Sequence, residues 1–281
     1  MKYILPIVIA LALGIGLRAH NPNTEMNDLQ TNPGDVKVLL HTTMGDITLL
    51  LYGDTPLHTA NFVKLVNEGF YDGLLFHRVI DSFMIQGGDP TSKDAPKGKH
   101  LGAGDPSYRI DAEIDFPKHF HHRGALAAAR EGDATNPERK SSGSQFYIVT
   151  GKKFSPAQLD QMEHKAVMRH KQEVFDSLSM QHRDSIMAMR RNRDKAGLEA
   201  LREQLAVETE KLTANDSTYF TPEQRDLYMR EGGTPHLDGA YTVFGRVISG
   251  MDTVDKIQKV ETDGYDRPLE DVKVISAKIL P

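Results

Sequence analysis

The residues of this chain that most suggest chemistry lie in the stretch FHRVIDSFMIQGGDP, from Phe76 to Pro90. Here Arg78 stands among aromatic and aliphatic residues, and the stretch ends in a Gly-Gly-Asp-Pro turn. A guanidinium has a permanent charge and a rigid set of donors, and its hydrogen bonds strengthen in a drier site. Such a donor beside an apolar wall can stabilise an electron pair that develops on a ligand. Alone, however, one arginine in a strand is more often a salt-bridged surface residue.

Two other patterns could hold a metal ion or a phosphate, and both are weak. The stretch HFHH, His119 to His122, contains three imidazoles, but adjacent residues on a strand point to opposite faces and no carboxylate partner is fixed in sequence. The glycine pair in MIQGGDP lacks the lysine and the following helix of a phosphate-binding loop. The sequence therefore predicts no metal and no cofactor.

Length, charge and cysteine content limit the classes of protein that fit. With 281 residues, 39% of them hydrophobic and 26% charged, the chain can bury a full core. A net charge of −5 provides no basic excess for a polyanion, which argues against nucleic acid as a partner. The absence of cysteine excludes disulfides, thiolate zinc sites and cysteine nucleophiles.

The N-terminus predicts export. An apolar run from Tyr3 to Leu17 follows a lysine and is short for a bilayer span of roughly 20 residues, but it suits the core of a signal peptide. Residues 1–20 are therefore interpreted as a signal peptide or an uncleaved membrane anchor, and residues 21–34 as a flexible tether. We expect a periplasmic or envelope-associated protein that meets a membrane only through this possible anchor.

The folded part is expected to be mainly β. Residues 35–151 begin with two β-rich runs joined at Met44-Gly45-Asp46, which predicts a hairpin, and the run after Pro56 has helical spacing. Further short apolar runs in residues 35–151 and 232–281 predict more strands and one more short helix, MDTVDKIQKV. Many short strands with two helices favour an antiparallel barrel or a sandwich.

Residues 152–231 differ from both flanks and predict an inserted helical module. This segment is charged, rich in methionine and without proline from Ala157 to Thr221, and its leucines recur at helical intervals. Gly197 is interpreted as a break or a tight-packing point, so the preferred interpretation is two antiparallel helices, with a third short helix that begins near Thr221. Its balanced charges favour a solvated helical arm over a membrane-binding face.

The chain resembles the cyclophilins, the peptidyl-prolyl cis/trans isomerases. Four blocks follow the order of the family: FHRVIDSFMIQGGDP, GALAAAR, GSQFYIV and LDGAYTVFGRVISGMDTVDKI. Together they cover most of Val36 to Thr150 and Thr234 to Pro281, and the helical module has no counterpart in a minimal cyclophilin. The resemblance implies a closed eight-stranded antiparallel barrel that is capped by two helices and has an external groove for an X-Pro peptide.

The resemblance also implies an activity and a set of site residues. Rotation about an X-Pro bond crosses a barrier of about 18 to 20 kcal/mol, and a donor to the pyramidal proline nitrogen lowers it. By match to the family motifs, the catalytic residues are Arg78 and Gln86. The substrate-binding residues implied in the same way are Phe83, Met84, Ala129, Arg130, Gln145, Tyr147, Leu237 and Tyr241. By default, without the motifs, the apolar members of this set would be core residues.

Three positions depart from the pattern of many cyclophilins: Tyr147 replaces phenylalanine, His236 replaces the tryptophan of the animal enzymes, and Tyr241 replaces a histidine. The added hydroxyl of Tyr147 must find a partner or water. The resemblance thus predicts an exported prolyl isomerase that acts on proline-containing segments of client proteins and assists their folding. The alternative is a non-catalytic peptide-binding or chaperone module that uses the barrel and the helical insert.

Overall fold

The computed structural model describes residues 32–214 and 219–281. The predicted signal peptide or anchor, and all of the predicted tether except residues 32–34, lie outside the described residues. Within the described part of the chain, none of the helices combines the length and the apolar character needed to cross a membrane. The predicted domain boundaries at residues 35, 152 and 232 stay predictions.

The described residues alternate short strands with helices, and the longest helices lie between two strands late in the chain. In chain order the elements are β1 (Val36–Thr42), β2 (Gly45–Leu51), α1 (Pro56–Asn67), β3 (Phe76–Ile80), β4 (Met84–Gly87), β5 (Arg109–Ile110), β6 (Ala125–Ala128), β7 (Ser141–Ser142), β8 (Phe146–Val149), α2 (Pro156–Gln181), α3 (Arg183–Arg191), α4 (Lys195–Leu212), α5 (Pro222–Arg230), β9 (Val243–Ser249), α6 (Met251–Gln258) and β10 (Val274–Leu280). Short 3-10 turns occupy Pro90–Ser92 and Pro235–Leu237.

Eight strands form one curled antiparallel sheet in the order β10-β1-β2-β9-β6-β8-β4-β3, and β5 pairs with β7 separately. The prediction of a closed barrel is wrong, because the sheet is open between its end strands β3 and β10. At the start of these strands an isolated bridge joins Leu75 to Lys273, and the Phe76 amide donates to the Val272 carbonyl. Beyond it, the Val79 amide of β3 donates to the Asp266 carbonyl, so the loop before β10 meets the edge of β3.

The concave face of the sheet holds the main hydrophobic core. Side chains alternate along each strand, so every second residue of β4, β6 and β8 points inward, and Ile85, Leu126 and Phe146 lie in this core. Helix α1 packs against β10, and helix α6 packs against β2, β3 and β4. These two helices match the two that were predicted to pack on the sheet.

The opposite face of the same strands carries a second hydrophobic cluster. Its buried members come from four strands and are Met84, Ala125, Ala127, Tyr147, Val149 and Val243. Partly buried residues from the surrounding loops and strands complete it: Tyr52, Ile80, Phe83, Ala129, Leu237 and Tyr241. We call this set the outer cluster. The sheet therefore has an inner apolar layer under the helices and an outer one nearer to solvent.

Helices α2 to α5 lie between β8 and β9. Ser155 and Gln158 form a capping box at the start of α2, and Thr221 and Gln224 form another at α5, each followed by a proline in the first turn. Helix α4 packs alongside α2 and α3. Breaks fall at His182, between α2 and α3, and before the Asp194 cap of α4. Gly197, predicted as a break or a tight-packing point, lies in the first turn of α4, where a Cβ atom would be 2.3 Å from the Asp194 carboxylate.

The base of this helical region packs on the β part of the chain. A buried cluster joins Leu159 of α2, Tyr228 of α5 and Phe220, which precedes α5. Phe116, Phe120 and Phe154 pack against it. Ion pairs from Arg225 to Asp160 and to Glu163 join α5 to α2 in the same place. Whether residues 152–231 are an insertion relative to the family stays a prediction.

Candidate functional site

Strand register places the predicted site residues in one row on the outer face of the sheet. Arg78 of β3 pairs with Gln86 of β4, and Gln86 pairs with Tyr147 of β8. The row continues from Tyr147 to Ala127 of β6 and from there to Val243 of β9. Directly opposed residues of an antiparallel pair project to the same side of the sheet. Five strands thus line up a cation, an amide and three outer-cluster residues.

Arg78 keeps an accessible guanidinium at the end of this row. Its side chain is 42% exposed, and its Nε atom lies 3.4 Å from Oδ2 of Asp266, which is exposed to a similar degree. A long ion pair between exposed groups is worth about 0–1 kcal/mol, so it holds the side chain only loosely. The remaining N–H groups are available as donors to a ligand on the outer face.

Gln86 is oriented by Gln145. The Nε2 group of Gln86 donates to Oε1 of Gln145 at 3.0 Å, and Nε2 of Gln145 donates to the carbonyls of Gly102 and Gly104. These bonds fix which end of each amide is the donor. The side-chain carbonyl oxygen of Gln86 is thereby turned away from Gln145. Gln86 can therefore offer this oxygen as an acceptor toward the outer face.

The loop that receives Gln145 is itself held by Asp89. Burial alone would raise the pKa of this carboxyl, but hydrogen bonds from the Gly102 amide and from Thr91 lower it overall. Beside it, Gly88 has a φ of +91°, and a Cβ atom there would lie 2.2 Å from the Ser144 carbonyl oxygen. The Gly-Gly-Asp turn is therefore required by close backbone approach, which explains that part of the motif.

The apolar wall of the site is the outer cluster. Met84 and Tyr147 are almost fully buried in it, whereas Phe83 and Leu237 pack at its margin and keep part of their surface exposed. The Phe83 ring stacks on the imidazole of His236 with the centroids 5.7 Å apart. The structure therefore brings together all four apolar residues that the family motifs imply for the pocket.

Ala129, Arg130 and Tyr241 flank the wall on one side. The Ala129 amide donates to the Gln145 carbonyl, and the Ala129 carbonyl accepts from the Ser142 amide, so one carbonyl lone pair remains for a peptide. The Arg130 guanidinium lies 4.4 Å above the ring of Tyr241 and pairs with Asp133 at 2.7 Å. The Arg130 side chain therefore holds Tyr241 in place instead of reaching the outer face.

The hydroxyl of Tyr147 has a protein partner. It lies 3.0 Å from Nε2 of His121, and Nδ1 of His121 lies 2.9 Å from a carboxyl oxygen of Asp238. Neither His121 nor Asp238 is among the site residues that the sequence predicted, and Asp266 beside Arg78 was missed as well. Asp238 stands within the LDG motif block and His121 within HFHH, but only the fold shows that they meet.

One group of side chains has the spacing of a metal site. Ligand atoms of Asp54, Asp115 and His119 lie within 4.8 Å of one another. The ammonium of Lys118 already forms an ion pair with Asp54, and His119 Nε2 lies 2.9 Å from the other oxygen of the same carboxylate. A divalent ion would have to displace this internal cation. His121 and His122 contact other partners, so HFHH does not act as one ligand set.

The arrangement combines a loosely held cation, an oriented amide and a dry wall. A carbonyl or a developing lone pair placed over Tyr147 can accept from Arg78 while an apolar ring occupies the outer cluster. Both interactions strengthen because the wall excludes water from one side. The geometry fits non-covalent stabilisation of a peptide more closely than attack by a nucleophile.

Comparison with known proteins identifies a family. Residues 37–279 match the family model described as cyclophilin type peptidyl-prolyl cis-trans isomerase/CLD. A putative peptidyl-prolyl cis-trans isomerase of Staphylococcus saprophyticus is 31% identical over 260 residues, which are 92% of this chain and 96% of that protein. Its Staphylococcus aureus (strain COL) counterpart is 30% identical over 252 residues, 89% of this chain and 94% of that protein.

A longer relative and a solved structure extend the comparison. The chain is 33% identical over 256 residues to a putative bifunctional phosphatase/peptidyl-prolyl cis-trans isomerase of Streptococcus pyogenes, of which it spans 40%. The crystal structure of a Cryptosporidium parvum cyclophilin type peptidyl-prolyl cis-trans isomerase superposes with a TM-score of 0.50 and 20% identity, covering 88% of this chain and 98% of that one. The structural match supports the fold alone.

Proposed function

Because this chain belongs to the cyclophilin-type peptidyl-prolyl cis-trans isomerases, we propose that the outer-face row from Arg78 to Val243, together with the outer cluster, is its active site. The reaction is rotation about the bond between a residue and a following proline. No covalent bond is broken, so the site must stabilise the twisted amide relative to both planar isomers.

Arg78 supplies the electrostatic part of this stabilisation. When the amide twists, resonance is lost, and the proline nitrogen becomes pyramidal and gains a lone pair. The guanidinium donates a hydrogen bond to that lone pair, an interaction that the planar ground state cannot make. Its weak contact with the Asp266 carboxylate leaves donors free for this purpose.

The outer cluster binds the proline ring. Phe83, Met84, Tyr147 and Leu237 belong to this cluster and give it apolar surface. Burial of a proline ring there removes apolar area from water at about 25 cal/mol per Å². The same wall removes water that would stabilise the planar, charge-separated amide, so ring binding and amide twisting support each other.

The remaining residues orient the peptide backbone. Gln86 offers the carbonyl oxygen that its bond to Gln145 leaves free, and Ala129 offers one carbonyl lone pair. Arg130 acts through its backbone and through Tyr241, whose ring it covers. These contacts fix the residues that flank the proline while the bond itself turns.

The single observation that carries this proposal is the register that aligns Arg78, Gln86 and Tyr147 beside a preformed apolar cluster. The test is an isomerisation assay on an X-Pro peptide, by protease coupling or by NMR exchange. Arg78→Ala should lower kcat/KM by about 10²- to 10³-fold, as for loss of one donor to a developing charge. Its free energy of unfolding should change by no more than about 0.5 kcal/mol.

Arg202→Ala is the matched control, because that arginine is 73% exposed on α4 and its one ion pair among the described residues is with Glu199 of the same helix. It removes the same charge and should leave kcat/KM unchanged. The non-catalytic alternative would be favoured if the wild-type chain gave no acceleration, or if Arg78→Ala were as active as wild type.

We further propose that the enzyme is exported and assists the folding of exported proteins, with residues 152–231 as an inserted arm that holds clients. The apolar run from Tyr3 to Leu17 and the balanced charges of the helical region support this proposal. Cell fractionation, together with the mass of the mature chain, tests it: a cytosolic chain would contradict export. A mature mass that lacks about 20 residues would identify a cleaved signal peptide.

A further inference from the structure

Four buried side chains form a continuous hydrogen-bonded chain from helix α5 to the outer cluster. The Tyr228 hydroxyl donates to Oδ2 of Asp238 at 2.5 Å. The other oxygen, Oδ1, accepts from the backbone amide of His121 at 2.8 Å and lies 2.9 Å from its Nδ1 atom. The chain ends at the Tyr147 hydroxyl, 3.0 Å from Nε2 of His121. All four residues are at most 5% exposed.

One set of donors and acceptors fits every link. A carboxylate oxygen accepts, so the tautomer of His121 that fits has its proton on Nδ1 and donates to Asp238. In that tautomer Nε2 has a lone pair and accepts from the Tyr147 hydroxyl. Burial raises the pKa of Tyr147 well above its ordinary value, which keeps this donor protonated. Each polar atom that these side chains bury is therefore satisfied.

This direction matters for the pocket because Tyr147 stands in the apolar wall. A phenol hydroxyl that turned toward the ligand would bring water into the site, since a buried hydroxyl without a partner costs free energy. Bonded to His121, the hydroxyl is occupied, and the small exposed part of the Tyr147 ring stays apolar toward a ligand. The ring planes of Tyr147 and His121 are nearly parallel, at 13°.

The packing of α5 fixes the end of the hydrogen-bonded chain that lies away from the outer cluster. The Tyr228 ring is fully buried and contacts Phe120, Phe154 and Phe220 edge to face. A Cβ atom on Gly233 would lie 2.6 Å from the ring, so only glycine allows this approach. The Phe154 amide also donates to the Tyr228 carbonyl. The hydroxyl that meets Asp238 is therefore held by a rigid base.

We propose that Tyr228, Asp238 and His121 are positioning residues that hold the Tyr147 hydroxyl away from bound proline, so that helix α5 sets the substrate affinity of the pocket. This inference rests on the proposed function, because the ligand concerned is the proline ring of an X-Pro peptide. None of the three residues touches the reacting amide. They act by fixing the orientation of the Tyr147 hydroxyl, so that the wall which binds the proline ring stays apolar.

A double-mutant cycle tests the proposal. Tyr228→Phe keeps the ring and removes the donor to Asp238, and Tyr147→Phe keeps the wall and removes the hydroxyl that is being held. Tyr228→Phe should raise KM for an X-Pro peptide about three- to tenfold, the range for loss of one hydrogen bond, with kcat within twofold. In the Tyr147→Phe background the same change should raise KM less than 1.5-fold, because there is no hydroxyl left to position.

Tyr219→Phe is the matched control. Its hydroxyl also donates to Asp238 from the segment that leads into α5, but to the backbone carbonyl, at 3.1 Å, and not to the carboxylate. It should leave KM unchanged. The proposal is overturned if Tyr228→Phe leaves KM unchanged in a folded, active enzyme, if Tyr219→Phe raises KM equally, or if the two tyrosine effects simply add.

A measurement on the wild-type protein covers the case in which Tyr228→Phe does not fold. The ¹⁵N shifts of the His121 imidazole should show a proton on Nδ1 and an accepting Nε2. The opposite tautomer overturns the proposal even in an active enzyme. Failure of the proposed function would give a different result. The wild-type protein would then not accelerate isomerisation, and Arg78→Ala would cause no loss of activity.

Discussion

The inner and outer faces of strands β4, β6 and β8 hold alternate residues of the same short segments in different surroundings. On the inner face, Ile85, Phe146 and Ile148 are buried members of the main hydrophobic core. On the outer face, their neighbours Gln86 and Tyr147 have hydrogen-bond partners as well as apolar contacts. A strand of four residues can therefore contribute to stability and to ligand binding at once, because successive side chains belong to different layers.

The largest expected effect of a single substitution is on the inner face. Phe146 is 2% exposed and contacts the rings of Phe62, Tyr71 and Phe76. Phe146→Ala should lower the free energy of unfolding by about 3–5 kcal/mol, through lost burial and a residual cavity. Urea unfolding measures this loss. If kcat/KM per folded molecule fell as strongly as it should for Arg78→Ala, the separation of the two faces would be contradicted.

A slightly smaller effect on the free energy of unfolding is expected from protonation of His77. This residue lies between a core residue and Arg78 on β3. Burial lowers the pKa of His77 to about 4, whereas the unfolded side chain has its ordinary value near 6.5. Between these values the unfolded chain binds more protons, so stability is highest above pH 6.5 and falls as the pH drops toward 4. The loss from this group is about 3 kcal/mol, and below pH 4 it stops growing.

The measurement is the free energy of unfolding from pH 7 to pH 4, in wild type and in His77→Gln. Other buried histidines with lowered pKa values, such as His58 and His122, add to the wild-type slope in the same direction. The difference between the two proteins isolates His77. His41→Gln, at a half-exposed histidine, is the control for the same loss of an imidazole. Equal slopes for wild type and His77→Gln would contradict the prediction.

On the outer face, the counter-ion of Arg78 should matter far less than Arg78 itself. Asp266 has a φ of +64°, a conformation that asparagine tolerates well, so Asp266→Asn removes the charge without backbone strain. Since an exposed pair is worth about 0–1 kcal/mol, kcat/KM should change less than about fivefold, and 1 M salt should remove most of the difference. A loss as large as that of Arg78→Ala would show that Asp266 has a more direct role.

The smallest effect on the peptide reaction is expected from shortening the helical arm. The Nζ atom of Lys171 on α2 lies 2.6 Å from Oε2 of Glu210 on α4, so the two helices run side by side there. Removal of residues 172–209 with a short Gly-Ser connection keeps Leu159, Phe220 and Tyr228 at the base. Isomerisation of a short peptide should stay within twofold of wild type.

Acceleration of refolding of a proline-limited protein should fall in the same shortened variant, because the arm is proposed to hold clients. This deletion is sharper than removal of the whole helical region, which would also destroy the buried cluster at the base of α5. The client-holding proposal fails if the shortened chain accelerates protein refolding as well as the intact chain does. Loss of peptide activity would instead connect the arm to the pocket.

Local sequence patterns were sufficient to predict many of the strands and helices. The Met44-Gly45-Asp46 signal predicted a hairpin, and β1 and β2 pair across that turn. A helix was expected after Pro56, and α1 begins there. The motifs also indicated residues that the structure brings together on one face, from Arg78 to Tyr147. These features depend on residues that are near in sequence, or on blocks whose order matches the family.

Long-range closure and side-chain partners could not be predicted in the same way. The closed barrel was wrong because the edge of β3 meets the loop around Asp266, and no pattern in either segment shows this. His121 and Asp238 are 117 residues apart. The histidine suggested only a metal ligand, and only tertiary structure shows that its Nε2 atom meets the Tyr147 hydroxyl. Strand periodicity predicts which residues share a face, but it does not reveal their partners.

The cross-strand row has a consequence for quality control of the purified protein. Its geometry exists only if β3, β4 and β8 keep their pairing, because a slip of one residue turns a side chain to the opposite face. Sheet content measured by circular dichroism would hardly change after such a slip, whereas turnover at the proposed site should be lost. Specific activity therefore counts the molecules whose strands are in register, which a spectrum of secondary structure cannot do.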